Sequence, residues 1–133
     1  RSAFEMEPVT GRAELVRAAL ESVAYQIADL IFCAQQDCGT PLRELRVAGG
    51  PTRNKYLMQF ESDILGCPVV VARHEELSGI GSAYMAGLAM GLYDHDALRR
   101  INASTIFTPQ MSQPRRQACL SGWKHAVETV LHY

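Results

Sequence analysis

The stretch "VAGGPTRNKYLMQF", residues 47–60, ends a short apolar run on Gly49 and Gly50 and places Asn54 four positions beyond the second glycine. These residue types suit a phosphorylated ligand. A strand that turns through glycines into a helix presents unpaired backbone N–H groups and the positive end of the helix dipole. Ligands of such units sit at the strand's carboxyl end. Glycine carries no Cβ, so a phosphate or nucleotide can lie against the backbone of either residue. The Asn54 amide both donates and accepts, which suits the edge of a purine or a ribose. The same pattern also serves as a plain tight turn. It is neither the G-x-G-x-x-G fingerprint nor the G-x-x-x-x-G-K-[ST] loop, and from the residues alone both readings stay open.

A second glycine cluster follows. "GIGSAYMAGLAMG", residues 79–91, sets Gly79, Gly81, Gly87 and Gly91 among alanines in a helical pattern. Each glycine in a helix costs roughly 1 kcal/mol relative to alanine, which suggests a helix that something approaches closely. Both clusters follow strand candidates, and a parallel sheet would bring them to one side as two walls for a flat ligand. Other chemistry-bearing residues read as structural. Glu61 and Asp63 are expected to face solvent from the helix after the first turn, with no catalytic role. His74, His95, His125 and His132 are scattered without metal-ligand spacing. Arg53 and Lys55 flank the turn and read as solvated charges, Met58, Met85 and Met90 as core filler, and Trp123 as a core anchor.

The elements that must position the glycine turn follow from hydrophobic periodicity. Residues 13–36 predict a long amphipathic helix with Leu15, Ala19, Val23, Ile27, Leu30 and Ala34 on its buried face, stopped by Gly39 and Pro41. Residues 45–49 predict a short strand. Residues 53–65 predict a second helix with Leu57, Phe60 and Ile64 on one face and Gly66 at its end. "PVVVA", residues 68–72, reads as a buried strand. A third helix is expected over 79–92 with Ser78 as its cap, then an irregular stretch over 93–112. Ser112 and Pro114 open a last helix with Leu120, Trp123, Val127 and Val130 as its stripe. Strands separated by helices argue for an α/β fold, helices packed on a small parallel-type sheet. Two strands make a poor sheet, so further strands are expected from outside this sequence or from a second copy, and an open sheet edge would invite a homodimer.

Bulk properties narrow the class. The chain has 133 residues, about one domain, with 47% hydrophobic and 20% charged residues. Its formal net charge is −1 and it has no basic run, so no nucleic-acid partner is expected. No membrane span and no leader are expected either. The four cysteines show no C-x-x-C spacing and read as free, mostly buried thiols of a reducing, cytoplasmic protein. The chain opens on Arg1, close to a helix pattern, and reads as a piece of something longer.

Taken together, "VAGGPTRNKYLMQFESDILGCPV" and "EELSGIGSAYMAGLAMGLY" resemble the C-terminal domain of the FGGY carbohydrate kinases, which act on sugars and polyols. The matching positions are Gly49, Gly50, Asn54, Leu57 to Phe60 and Asp63 to Gly66. Upstream, Glu14, Leu15, Ala18, Ala19, Leu20 and Glu21 of "ELVRAALESVAYQI" fit the family's second signature. Phe107, Pro109, Trp123 and Val127 fit its end. The resemblance implies an actin-like ATPase fold with two ribonuclease H-like lobes and ATP in the cleft between them. It places the whole chain, residues 1–133, in the C-terminal lobe. It implies that Gly50 packs against the phosphate and ribose of ATP or ADP, that Gly49 shapes the turn, and that Asn54 meets the adenine. The stretch around Gly79 and Gly81 would close the adenine pocket. Mg²⁺ is the implied cofactor, and the small sugar or polyol substrate, with the catalytic base, is implied on the lobe this sequence lacks.

Two departures accompany the resemblance. Gly79-Ile80-Gly81-Ser82-Ala83 keeps Gly81 but differs around it from the family's Ala-Leu-Gly-Ala-Ala, and Glu5 stands where the family usually has glycine. On this reading the chain alone is inactive. The rival is a non-catalytic actin-like module that binds a nucleotide or a partner chain. A dinucleotide-binding fold ranks below both, since Glu75 falls late for a ribose contact and the glycine spacing is wrong.

Overall fold

A computed structural model describes residues 11–72, 85–87, 89–92 and 103–132. Helix α1 spans Arg12–Cys38, strand β1 Leu45–Val47, and a 3₁₀ turn Gly50–Arg53. Helix α2 spans Lys55–Leu65, β2 Val69–Ala72, β3 Ala103–Phe107 and α3 Gln113–Leu131. Residues 85–87 and 89 are helical, inside the expected third helix. Ser78, Gly79 and Gly81 lie outside the described residues.

The strands form one sheet in the order β1-β2-β3. β1 and β2 are parallel, with Leu45 opposite Val69 and Val47 opposite Val71. β2 and β3 are antiparallel, with Val69 opposite Phe107 and an irregularity between Val71 and Ala72. The sheet is therefore mixed, not parallel-type throughout. β3 arises within the stretch expected to be irregular, so the third strand comes from this chain itself. "ASTIF" is five residues long and begins with two small residues, too weak a pattern to stand out from a loop.

Local chemistry explains the helix ends. The Gly11 N–H donates to Glu14 Oε2 at 3.1 Å, which satisfies a backbone donor at the start of α1. Gly39 ends α1 with φ 65°, and Gly66 ends α2 with φ 72°, both in the left-handed region where glycine is the default. Pro114 sits in the first turn of α3, where its missing N–H costs nothing.

The core lies where α1 and α2 meet the sheet. Ala24, Ala28, Leu57, Met58, Phe60, Ile64, Val69 and Val71 form one buried cluster. Ile64 and Val69 are fully enclosed, each contributing about 1.5–3 kcal/mol of burial. Ser62 is also buried, and its hydroxyl lies 2.9 Å from the Cys67 carbonyl and 3.0 Å from that of Phe107, tying α2 to both β2 and β3.

The α1 face that packs inward is not the expected one. Ala24 and Ala28 are its only fully buried residues, and they let the α2 backbone approach closely. Leu15, Val23 and Leu30 of the expected stripe are exposed. Along α3, Leu120 and Trp123 are half-buried, no residue is fully buried, and Val130 is exposed. Met58 is core, as expected, whereas Met85 and Met90 are exposed. Cys67 is buried and Cys119 half-buried, but Cys33 and Cys38 are exposed on α1. Glu61 faces the interior at 1% exposure, not solvent.

Candidate functional site

After β1 the chain reaches Gly49, whose φ of 105° lies where side chains are strained. Its carbonyl accepts two hydrogen bonds from Thr52, from the backbone N–H at 3.1 Å and from the hydroxyl at 2.7 Å. Pro51 presets the turn, and the Asn54 N–H donates to the Pro51 carbonyl at 3.1 Å. The expected strand–glycine–helix unit is present, with a 3₁₀ turn between the glycines and the helix.

Asn54 is the N-cap of α2, whereas the helix was expected to begin at residue 53. Its Oδ1 accepts from the Leu57 N–H at 3.1 Å, and its backbone carbonyl accepts from the Met58 N–H at 3.1 Å. The side-chain oxygen is thus engaged by the helix start, which leaves the amide NH₂ as the part of Asn54 suited to an acceptor on a ligand.

Gly50 differs from Gly49. It is exposed, its φ is outside the left-handed region, and nothing lies within 4 Å of where its Cβ would be. Neither backbone conformation nor packing among the described residues requires glycine there. Gly81 lies outside the described residues, so the second wall of the expected pocket does too. Arg53 and Lys55 are both exposed.

The turn is braced by contacts that the sequence reading missed. The Thr52 hydroxyl is one, and a polar residue two places after a proline-preceding glycine is its only sequence signal. The second brace joins α2 to α1. The Tyr56 hydroxyl donates to Glu21 Oε1 at 2.5 Å, and Arg17 Nε donates to the same oxygen at 2.6 Å. The Arg17 guanidinium stands 5.9 Å from the Tyr56 ring centroid. Burial, then the Glu21 hydrogen bond, raise the Tyr56 pKa above its ordinary value, while Glu21 raises that of Arg17. Tyr56 is 35 residues from Glu21 in sequence, so no local pattern announces that contact.

Asp63 is half-buried and structural. Its Oδ1 accepts from the Gln110 N–H at 2.6 Å and the Met111 N–H at 3.1 Å, ordering the segment before α3. Trp123 anchors α3 as expected: it stacks on Tyr25 at 5.2 Å and donates from Nε1 to Asp29 at 2.7 Å. Two surface grooves, of about 640 and 410 Å³, flank Arg17 and Tyr56, and Gly49, Gly50 and Asn54 line neither. The glycine turn is an open ledge. No helix among the described residues is long and apolar enough to cross a membrane.

Comparison with known proteins agrees with the fold. Residues 1–90 match the C-terminal domain of the FGGY family of carbohydrate kinases. The chain is 45% identical over 132 residues to a glycerol kinase of Dechloromonas aromatica, covering 98% of this chain and 26% of that protein. It is 43% identical over 126 residues to one from Petrotoga mobilis, covering 93% and 25%. The crystal structure of Plasmodium falciparum glycerol kinase with ADP superposes with a TM-score of 0.84 at 34% identity, over 93% of this chain and 25% of that one. Xylulose kinase from Rhodospirillum rubrum has the same fold, with a TM-score of 0.70 at 23% identity over 97% and 28%. The chain thus spans about a quarter of the length of the relatives it matches. Its α/β architecture is the actin-like fold of these kinases, and the chain belongs to the FGGY family of carbohydrate kinases.

Proposed function

We propose that this chain is the nucleotide-binding part of an ATP-dependent kinase that phosphorylates a hydroxyl of glycerol. Glycerol is favoured over other polyols and sugars by the relatives, which are glycerol kinases at 45% and 43% identity. The observation that carries the nucleotide assignment is Gly50, a glycine that the described fold does not need, beside Gly49 and Asn54 at the carboxyl end of β1. The Plasmodium falciparum glycerol kinase that superposes with a TM-score of 0.84 was solved with ADP.

In this reading Gly49 sets the course of the turn, and Gly50 offers its bare backbone to the phosphate and ribose of ATP. Asn54 presents its amide NH₂ to an acceptor on the adenine, while its oxygen holds the start of α2. Gly81 closes the far side of the base. Mg²⁺, carried on the phosphates, would neutralise their charge in the transition state, and no residue described here is assigned to it. The base that takes the glycerol proton belongs to the three quarters of the kinase outside this chain, so the chain alone transfers no phosphoryl group. Its four free thiols support a reducing, cytoplasmic setting.

The test is a chimera in which residues 1–133 replace the matching quarter of the Dechloromonas aromatica glycerol kinase. The reading expects ATP-dependent formation of glycerol phosphate by the chimera and none by the isolated chain. A folded chimera that binds no nucleotide contradicts it.

A further inference from the structure

The α1 helix carries two apolar faces, and only one is used. The inner face, centred on Ala24 and Ala28, packs on α2. The other holds Val16, Ala19, Leu20, Val23, Ile27, Leu30 and Ala34, which fall on one side of a helix of 3.6 residues per turn. Val16, Val23 and Leu30, seven residues apart, are 53%, 43% and 72% exposed. From Val16 to Ala34 the stripe runs for about 27 Å at 1.5 Å per residue, with no charged residue among those positions. A contiguous apolar surface of that length marks an interface.

Three possible occupants can be separated. The described elements of the chain leave most of the stripe open: Val16, Ala19, Val23, Leu30 and Ala34 are exposed with the chain folded, and Leu20 and Ile27 are half-buried. A charged partner surface does not match a stripe without charge. The remaining occupant follows from two facts: the chain matches its relatives over 98% of its own length, yet spans 26% of theirs. Three quarters of the kinase must pack somewhere on this part. β1, with its outer edge free in the described sheet, follows α1 in the chain and offers that remainder a strand partner. The helices agree. Over 27 and 19 residues, α1 and α3 fully bury only Ala24 and Ala28 between them, so most of both helices is open to a further part of the protein.

We infer that the Val16–Val23–Leu30 face of α1 is the seam on which the rest of the kinase polypeptide packs. The inference rests on the family membership and on the kinase reading only in that it assumes a larger whole. Stability of the whole kinase should then depend on a surface that is irrelevant to the stability of the isolated chain.

The test places Val23→Glu and Leu30→Glu together, first in the 133-residue chain and then in the chimera with the Dechloromonas aromatica kinase. Glutamate keeps helix propensity high, so α1 itself is not the variable. In the isolated chain the melting temperature is expected to stay within about 2 °C, as for ordinary surface changes. In the chimera two carboxylates would be buried at the seam, and melting should fall by about 10 °C or more, with loss of soluble protein. An unchanged chimera overturns the inference. So does an isolated chain that sediments as a dimer which the substitutions dissociate, because the face would then belong to a second copy. A chimera that is folded, sensitive at the seam and inactive with glycerol would refute the kinase reading and leave the seam standing.

Discussion

Asn54 Oδ1 accepts the Leu57 N–H at 3.1 Å, so the residue proposed to meet a nucleotide base also holds the start of α2. The two roles use different atoms and can be separated. Asn54→Asp keeps the capping oxygen and removes the NH₂ donor, whereas Asn54→Ala removes both. Losing an N-cap costs about 1 kcal/mol, which lowers melting by about 3–5 °C in a chain of this size. The alanine variant should show that loss by circular dichroism and the aspartate variant should not, while both should weaken ADP binding.

Gly49 and Gly50 should respond differently to substitution. With φ 105°, Gly49→Ala forces a side chain into a strained region at a cost of about 1–2 kcal/mol. Gly50→Ala meets nothing within 4 Å and leaves φ in an ordinary region, so chemical denaturation should find its stability unchanged. A matched loss at both positions would place Gly50 within the fold's own requirements.

Gly66 is required twice over. Its φ is 72°, and a Cβ there would stand 2.6 Å from Nη1 of Arg116, whose Nε donates to the Asp63 carbonyl at 2.6 Å. Gly66→Ala should destabilise by more than the roughly 1–2 kcal/mol of a left-handed alanine. In a double-mutant cycle, adding Arg116→Ala should recover the part due to the clash and not the part due to the backbone.

Glu61 makes stability depend on pH. It is 1% exposed, Oε1 has no hydrogen-bond partner among the described residues, and burial raises its pKa above the ordinary 4.5. A carboxyl with a raised folded pKa binds more protons in the folded state. Its contribution is therefore fully present below the unfolded pKa and is lost as pH climbs through the folded one. Burial and then the nearby Glu61 charge raise the Cys67 thiol as well. Glu61→Gln removes the ionisation, so melting at pH 8 should rise relative to the parent, with little difference near pH 4. Equal pH dependence in the two proteins would show that Glu61 ionises freely.

The sequence made the glycine turn legible because its signals are local: a short apolar run, two glycines and a proline fall within a few positions. Helix α2, with Leu57, Phe60 and Ile64 spaced for one face, was legible for the same reason. The α1 face was misjudged because periodicity reports that a stripe is apolar, not what covers it. The longer stripe is left mostly exposed, and two alanines, weak in any hydrophobicity pattern, are the residues of α1 buried in the core. Glu61 was misplaced because a charged type was taken as evidence of exposure. The Tyr56–Glu21 and Asp63–Gln110 contacts join residues far apart in the chain, and nothing in a single sequence pairs them.

The central claim is that a nucleotide lies on the bare backbone of Gly50. Its most direct test is calorimetric titration of ADP into the chimeric kinase beside the same protein carrying Gly50→Val. The account predicts unchanged melting without ligand and at least a tenfold loss of ADP affinity, since a side chain would occupy the ligand's place. Equal affinity in the two proteins would contradict it and leave Gly49 and Gly50 as a structural turn.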